Sequence, residues 1–190
     1  MRKIVAGLFI SLDGVVESPE RWQSEYFNDE MLAGIAAGVA RADTILMGRR
    51  TYLQFAEMWP NRSGSPMADF MNNTPKHVVS STLRPPLEWA NAHLVTGDLA
   101  EAVTKLKEQP GKNIQVPGSP RLVAALLRDG LLDELTLSIH PIVVGSGMRL
   151  FDGITDQVRL DLVDSKTLST GVVGVTYHPA TRGRPRKDLT

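Results

Sequence analysis

Ile45-Leu46-Met47-Gly48-Arg49-Arg50-Thr51-Tyr52 is the stretch on which the fold of this chain turns. An apolar run, strand-like from Thr44 to Met47, meets a glycine, and a segment with helical patterning, Thr51 to Met58, then ends at Pro60. A buried strand that closes on glycine and opens a helix leaves backbone N–H groups at the positive end of a dipole. Arg49, Arg50 and the Thr51 hydroxyl add donors beside them. Phosphate groups suit such a corner. The same residues also read more plainly, with Gly48 only turning the chain and both arginines solvated.

Working outward, the strand-turn-helix unit recurs. Ile4 to Ile10 is a short continuous apolar run, as in a strand buried on both faces, and Asp13-Gly14 follows as a turn. Asn28 to Ala42 is rich in Ala, Met and Leu and reads as a packed helix with Asn28 as its N-cap. His77-Val78-Val79 and Leu94-Val95 read as strands, and Leu99 to Glu108 as a helix stopped by Pro110-Gly111. Ile114-Gln115-Val116 leads through Pro117-Gly118-Ser119 into a helix from Pro120 to Asp129, closed by Gly130. Alternation of this kind predicts an α/β sheet. Glu134 to Val144 and Val172 to His178 are rich in β-formers, and antiparallel strands there would make the sheet mixed. Asn61 to Pro66 reads as a polar surface loop.

Two further turns carry ligand-binding chemistry. Ser80, Ser81 and Thr82 follow a short apolar strand and could hold a ribose phosphate, although hydroxyls are also common wherever strands meet loops. Gly118 and Ser119, with Arg121 and Leu122 beyond them, form another strand-to-helix turn fit for a pyrophosphate. An open α/β sheet gathers ligands outside the carboxyl ends of its strands, so the three turns could share one cleft.

Met47-Gly48-Arg49-Arg50-Thr51-Tyr52 closely resembles the phosphate-binding turn of dihydrofolate reductases, and Val79 to Thr82 resembles that superfamily's segment for the adenosine 2′-phosphate. Val116 to Leu127 resembles its glycine-rich turn and following helix. Ser11-Leu12-Asp13-Gly14, Gly130 to Leu135, His140 to Gly147 and Leu150-Phe151 are similar to the reductase domain of riboflavin biosynthesis. The resemblance runs from Ile4 to about His178. It implies a dihydrofolate reductase-like three-layer α/β fold, a mixed, mostly parallel central sheet between helices with antiparallel C-terminal strands. It also implies NADPH as cofactor, held by Met47 to Thr51, Ser80 to Thr82, Gly118, Ser119, Arg121 and Leu122. The activity implied is hydride transfer to a small heterocycle: a pteridine, a ribosylaminopyrimidine or a flavin. One departure stands out, because Pro117-Gly118-Ser119-Pro120 replaces the usual Gly-Gly pair and each proline removes an N–H. A nucleotide-binding protein that kept the fold without turnover is the corresponding alternative.

On the substrate side, Asp13 is the acid best placed by motif for proton relay, with a simple Asp-Gly turn as the competing reading. Glu17, Glu25 and Asp29 are alternatives to it. Trp22 and Tyr26, with Phe27, could stack on a flat ring or belong to the core. His140, alone before Pro141, reads as structural, and Gly145-Ser146-Gly147 as a turn without the third glycine of a dinucleotide fingerprint.

Composition narrows the remaining classes. Lys plus Arg equals Asp plus Glu at 21 each, so no overall charge draws the chain to nucleic acid or an anionic membrane. Without cysteine there is no thiolate metal site or nucleophile, and four scattered histidines show no metal-ligand spacing. The short apolar run near the N-terminus does not read as an export signal, and no stretch is long enough to span a bilayer. A cytoplasmic homodimer with a small-molecule substrate is the expectation, formed by a reductase domain over residues 1–179. The basic tail of residues 180–190 contains Arg182-Gly183-Arg184-Pro185-Arg186-Lys187, which resembles an AT-hook and offers DNA contact as a minor alternative.

Overall fold

A computed structural model describes residues 1–180, and the AT-hook-like tail segment lies outside them. Eight strands are arranged along the chain as β1 (Ile4–Ser11), β2 (Ala42–Gly48), β3 (Lys76–Val79), β4 (Ala92–Val95), β5 (Asn113–Val116), β6 (Glu134–His140), β7 (Leu160–Thr167) and β8 (Val173–Pro179). Five helices connect them: α1 (Asp29–Ala40), α2 (Arg49–Met58), α3 (Pro66–Asn73), α4 (Leu99–Glu108) and α5 (Pro120–Arg128). One sheet results, in the order β4-β3-β2-β5-β1-β6-β8-β7. Pairing is parallel from β4 across to β6, and β8 and β7 then add antiparallel.

The strands are continuously apolar because both faces of the sheet are covered. Along β2, Leu46 points to a core completed by Val103 and Leu106 of α4 and by Leu122, Val123, Leu126 and Leu127 of α5. Its neighbours Ile45 and Met47 point the other way, to Tyr52 of α2, Met71 of α3, Val78 and Trp89. Burying each such side chain contributes roughly 1.5–3 kcal/mol. These two layers hold β2, β3 and β5 rigidly side by side.

Element boundaries differ from the sequence reading in informative places. Asn28 caps α1 as expected, its Oδ1 accepting from Met31 N at 3.1 Å, but the helix stops at Ala40 because Ala42 already belongs to β2. α2 starts at Arg49 rather than Thr51, which puts both arginines in its first turn. Pro66 opens α3 instead of closing a loop, with Ser65 as N-cap accepting from Ala68 N at 3.2 Å. β6 ends at His140 and does not reach Val144, since Pro141 has no N–H for the ladder. It also runs parallel to β1, and only its other edge meets an antiparallel neighbour. β7 has no alternating pattern to betray it, being exposed along almost its whole length.

Lys76 anchors β3. Its side chain is completely buried, yet Nζ donates to the carbonyls of Asn72 (3.1 Å), Thr74 (2.8 Å) and Ala90 (3.0 Å) and lies 4.5 Å from the Trp89 ring. Burial pushes its pKa down to about 8, which leaves it charged at neutral pH. A cation against the last carbonyls of α3 fastens that helix to the chain entering β4. No helix among the described residues is long and apolar enough to cross a membrane.

Candidate functional site

The sheet order places the carboxyl ends of β3, β2, β5, β1 and β6 in a row. The three turns singled out above therefore emerge from three adjacent strands. The turns after β2 and β5 interlock: Gly48 N donates to Gly118 O at 3.2 Å. A Cβ on Gly48 would lie 2.0 Å from Ser119 Oγ, and one on Gly118, whose φ is +144°, would lie 2.7 Å from Thr51 Oγ1. Glycine is required at both positions for close approach, and Gly118 needs its backbone freedom as well.

Helix ends divide into two kinds. α1, α3 and α4 each carry a side-chain N-cap (Asn28, Ser65 and Asp98) and at least one acid in the first turn. α2 and α5 have neither: Gly48 and Ser119 make no side-chain cap, no acid follows, and Arg49, Arg50 and Arg121 stand there instead. Basic groups at a helix N-terminus oppose the macrodipole, so both ends are electrostatically incomplete. An anion would satisfy the free N–H groups and the arginines together.

Individual residues of this half take different parts. Arg49, Arg50, Ser81, Thr82 and Arg121 are exposed and available to a ligand. Ser80 is buried, and its Oγ accepts from Thr82 N (3.2 Å) and Leu83 N (3.0 Å), so it shapes the turn that presents its neighbours. Met47 and Leu122 have core side chains, and Leu122 N is bonded to Ser119 O, so both chiefly hold the turns in place.

The other half is built on β1 and β6. Leu12 N, Val16 N and Leu150 N donate to Ile142 O, Met148 O and Gly14 O, zipping the loop after β1 to the loop after β6. Two carboxylates fasten the zip. Asp13 accepts from Val144 N (3.0 Å) and Gly145 N (2.9 Å), and Glu17 from Met148 N (3.0 Å). Asp13 also accepts from Ser11 Oγ at 2.7 Å and lies 3.5 Å from the Arg149 guanidinium. The Ser11 hydroxyl and then the Val144 N–H lower its pKa to about 2. Asp13 is thus ionised at neutral pH with its oxygens engaged, which suits an anchor and not the proton relay its motif suggested. Arg149 and Arg121 line a cavity of about 270 Å³ between this loop and the start of α5, so the two halves meet there.

Trp22 and Tyr26 come from two single-turn 3-10 helices, Pro19–Arg21 with its C-cap Trp22 and Ser24–Tyr26. Both rings are half-buried and stand nearly perpendicular to that of His140, with centroids 5.1 and 5.5 Å away, and Phe9 adds a third at 5.7 Å. His140, set aside on sequence as structural, is the completely buried centre of this cage. Burial, opposed by the Ser138 and Ile10 carbonyls, holds its pKa below the ordinary value. The sequence signal that could have found it is Pro141, which ends the strand at His140 and so puts that residue at the ligand edge. The β7–β8 turn closes the same corner, with Ser169 N and Oγ donating to Glu30 at 2.8 and 2.7 Å.

A mixed sheet with antiparallel final strands, helices on both faces and two uncapped, arginine-bearing helix starts at its carboxyl edge matches a reductase-type domain of dihydrofolate reductase-like fold. Comparison with known proteins makes the assignment specific. The chain belongs to the RibD C-terminal domain family, whose model matches residues 2–174. An uncharacterized protein, YyaP of Bacillus subtilis (strain 168), is 31% identical over 182 residues, covering 93% of this chain and 95% of its own. A protein from Shewanella sp. PV-4 assigned to riboflavin biosynthesis superposes with a TM-score of 0.78 at 23% identity, over 95% of this chain and all of that one. Dihydrofolate reductase from Enterococcus faecalis, solved with NADP(H), superposes with a TM-score of 0.65 at 14% identity, over 94% of this chain and 97% of that one.

Proposed function

We propose that this protein is an NADPH-dependent reductase that transfers hydride to a small heterocyclic substrate of the pteridine, ribosylaminopyrimidine or flavin kind. The observation that carries the proposal is the pair of uncapped, acid-free helix ends at Gly48–Thr51 and Ser119–Arg121, interlocked through two glycines that no larger residue could replace without displacement. The residues fit the cofactor's anionic groups. Arg49 and Arg50 would meet phosphate charge, Ser81 and Thr82 the ribose phosphate beside them, and the first N–H groups of α2, with those of Ser119 and Arg121 at the start of α5, the pyrophosphate. Bound there, NADPH supplies the hydride. The dihydrofolate reductase that shares the fold binds NADP(H), which supports the same reading.

The chain's own residues then have definite tasks. Pro117 and Pro120 withhold two backbone donors, so Gly118 and Ser119 with Arg121 do more of the binding at the β5 turn. Asp13 and Glu17 hold the β1 and β6 loops together, and Trp22 and Tyr26 exclude water from the substrate end of the edge. Monitoring NADPH oxidation against dihydropteridines, ribosylaminopyrimidine phosphates and flavins tests the proposal. Turnover with one of these classes is expected. Absence of turnover with all of them, while NADPH binds, would favour the nucleotide-binding alternative.

A further inference from the structure

Four buried side-chain polar atoms among the described residues have no hydrogen-bond partner: Gln23 Oε1, Trp59 Nε1, His140 Nε2 and Thr170 Oγ1. Of these, His140 Nε2 lies at the carboxyl end of β6, in a completely buried ring flanked by Phe9, Trp22 and Tyr26. A buried polar atom left without a partner at a ligand edge suggests a group that a ligand completes.

The imidazole's tautomer follows from its contacts. Nδ1 lies 2.9 Å from the Ser138 carbonyl, which can only accept, so Nδ1 carries the proton of the neutral ring. Nε2 then offers a bare lone pair. A buried acceptor without a donor calls for a partner with an N–H group, and three aromatic rings around His140 call for a flat one.

We infer that His140 is a substrate-recognition residue, its Nε2 accepting a hydrogen bond from an amino or ring N–H group of a flat heterocycle admitted when the Pro19–Tyr26 segment lifts. This rests on the reductase reading and deepens it: the substrate carries an amino or ring N–H group at the edge that meets His140. A ring methylated at that position fits the shape but leaves Nε2 unpaired, and is rejected for that reason.

The test uses histidine-15N-labelled full-length protein, with and without saturating NADPH, titrated with 2-aminopyrimidine and with 2-methylpyrimidine, which match in shape and differ in donors. Nitrogen NMR should find His140 protonated on Nδ1 alone, with an Nε2 resonance that moves for the amine and not for the methyl compound. The amine should bind at least about tenfold more tightly, and His140→Phe, which keeps a ring in the cage, should erase that preference. An Nε2 that carries a proton in the free protein, or stays still under both probes, overturns the inference, as does a preference that survives His140→Phe. If the variant does not fold, the wild-type spectra decide alone. NADPH binding in the same samples separates the two claims. A responsive Nε2 without NADPH binding defeats the cofactor reading only, and NADPH binding with a silent Nε2 defeats the role of His140 only.

Discussion

The two halves of the ligand edge are made in different ways. On the β2 and β5 side, consecutive residues build the site, because a strand, a glycine and a helix start follow one another within Met47 to Thr51 and again within Val116 to Arg121. On the β1 and β6 side, the contacts join residues far apart in the chain, such as Asp13 with Val144 and Gly145, Glu17 with Met148, and Trp22 with His140. Local chemistry therefore fixes where a phosphate would bind, and only the folded chain brings together what would meet a substrate. A family that keeps the first half and varies the second can keep a cofactor while changing its substrate.

Substitutions can break this contrast. The largest effect is expected at Gly48→Ala, where the new Cβ meets Ser119 Oγ at 2.0 Å but Ser119 Cβ only at 3.2 Å. NADPH affinity should fall about 100-fold, and adding Ser119→Gly should restore much of it; titration of both variants checks this. Arg49→Ala should weaken NADPH about tenfold and leave NADH nearly unchanged, as a comparison of the two dissociation constants would reveal.

Smaller effects sharpen it. Ser80→Ala should cost about 1 kcal/mol in denaturant unfolding with little loss of NADPH affinity, because its hydroxyl caps the turn and leaves ligand contact to Ser81 and Thr82. The stabilisation that Asp13 provides changes only in acid. Its folded pKa, about 2, lies below the ordinary 3.8, so its contribution is complete above that ordinary value and is lost as pH falls toward about 2. Asp13→Asn should flatten that part of the Tm profile against pH.

The contrast also explains what could be read from the sequence. The α/β alternation, most strands and the Asn28 cap were legible because apolar runs, glycines and caps act over a few residues. Gly48 and Gly118 stood out as turns, but the reason each must be glycine, a neighbour's side chain less than 3 Å from the missing Cβ, is tertiary. Asp13 looked like an acid free to relay a proton because two of its donors, the Val144 and Gly145 N–H groups, come from backbone more than a hundred residues away. His140 looked inert because a lone histidine carries no local signature, and its cage assembles from three separate elements. β7 escaped notice for the opposite reason: an exposed edge strand has no buried face to impose alternation.

The most direct test of the cofactor half is titration of the intact protein with NADPH and NADH, followed by quenching of tryptophan fluorescence. Arginines and hydroxyls placed for an extra phosphate predict NADPH binding at least about tenfold tighter than NADH. Equal affinity for the two, or binding of neither, would contradict the site proposed at Gly48–Thr51 and Gly118–Arg121.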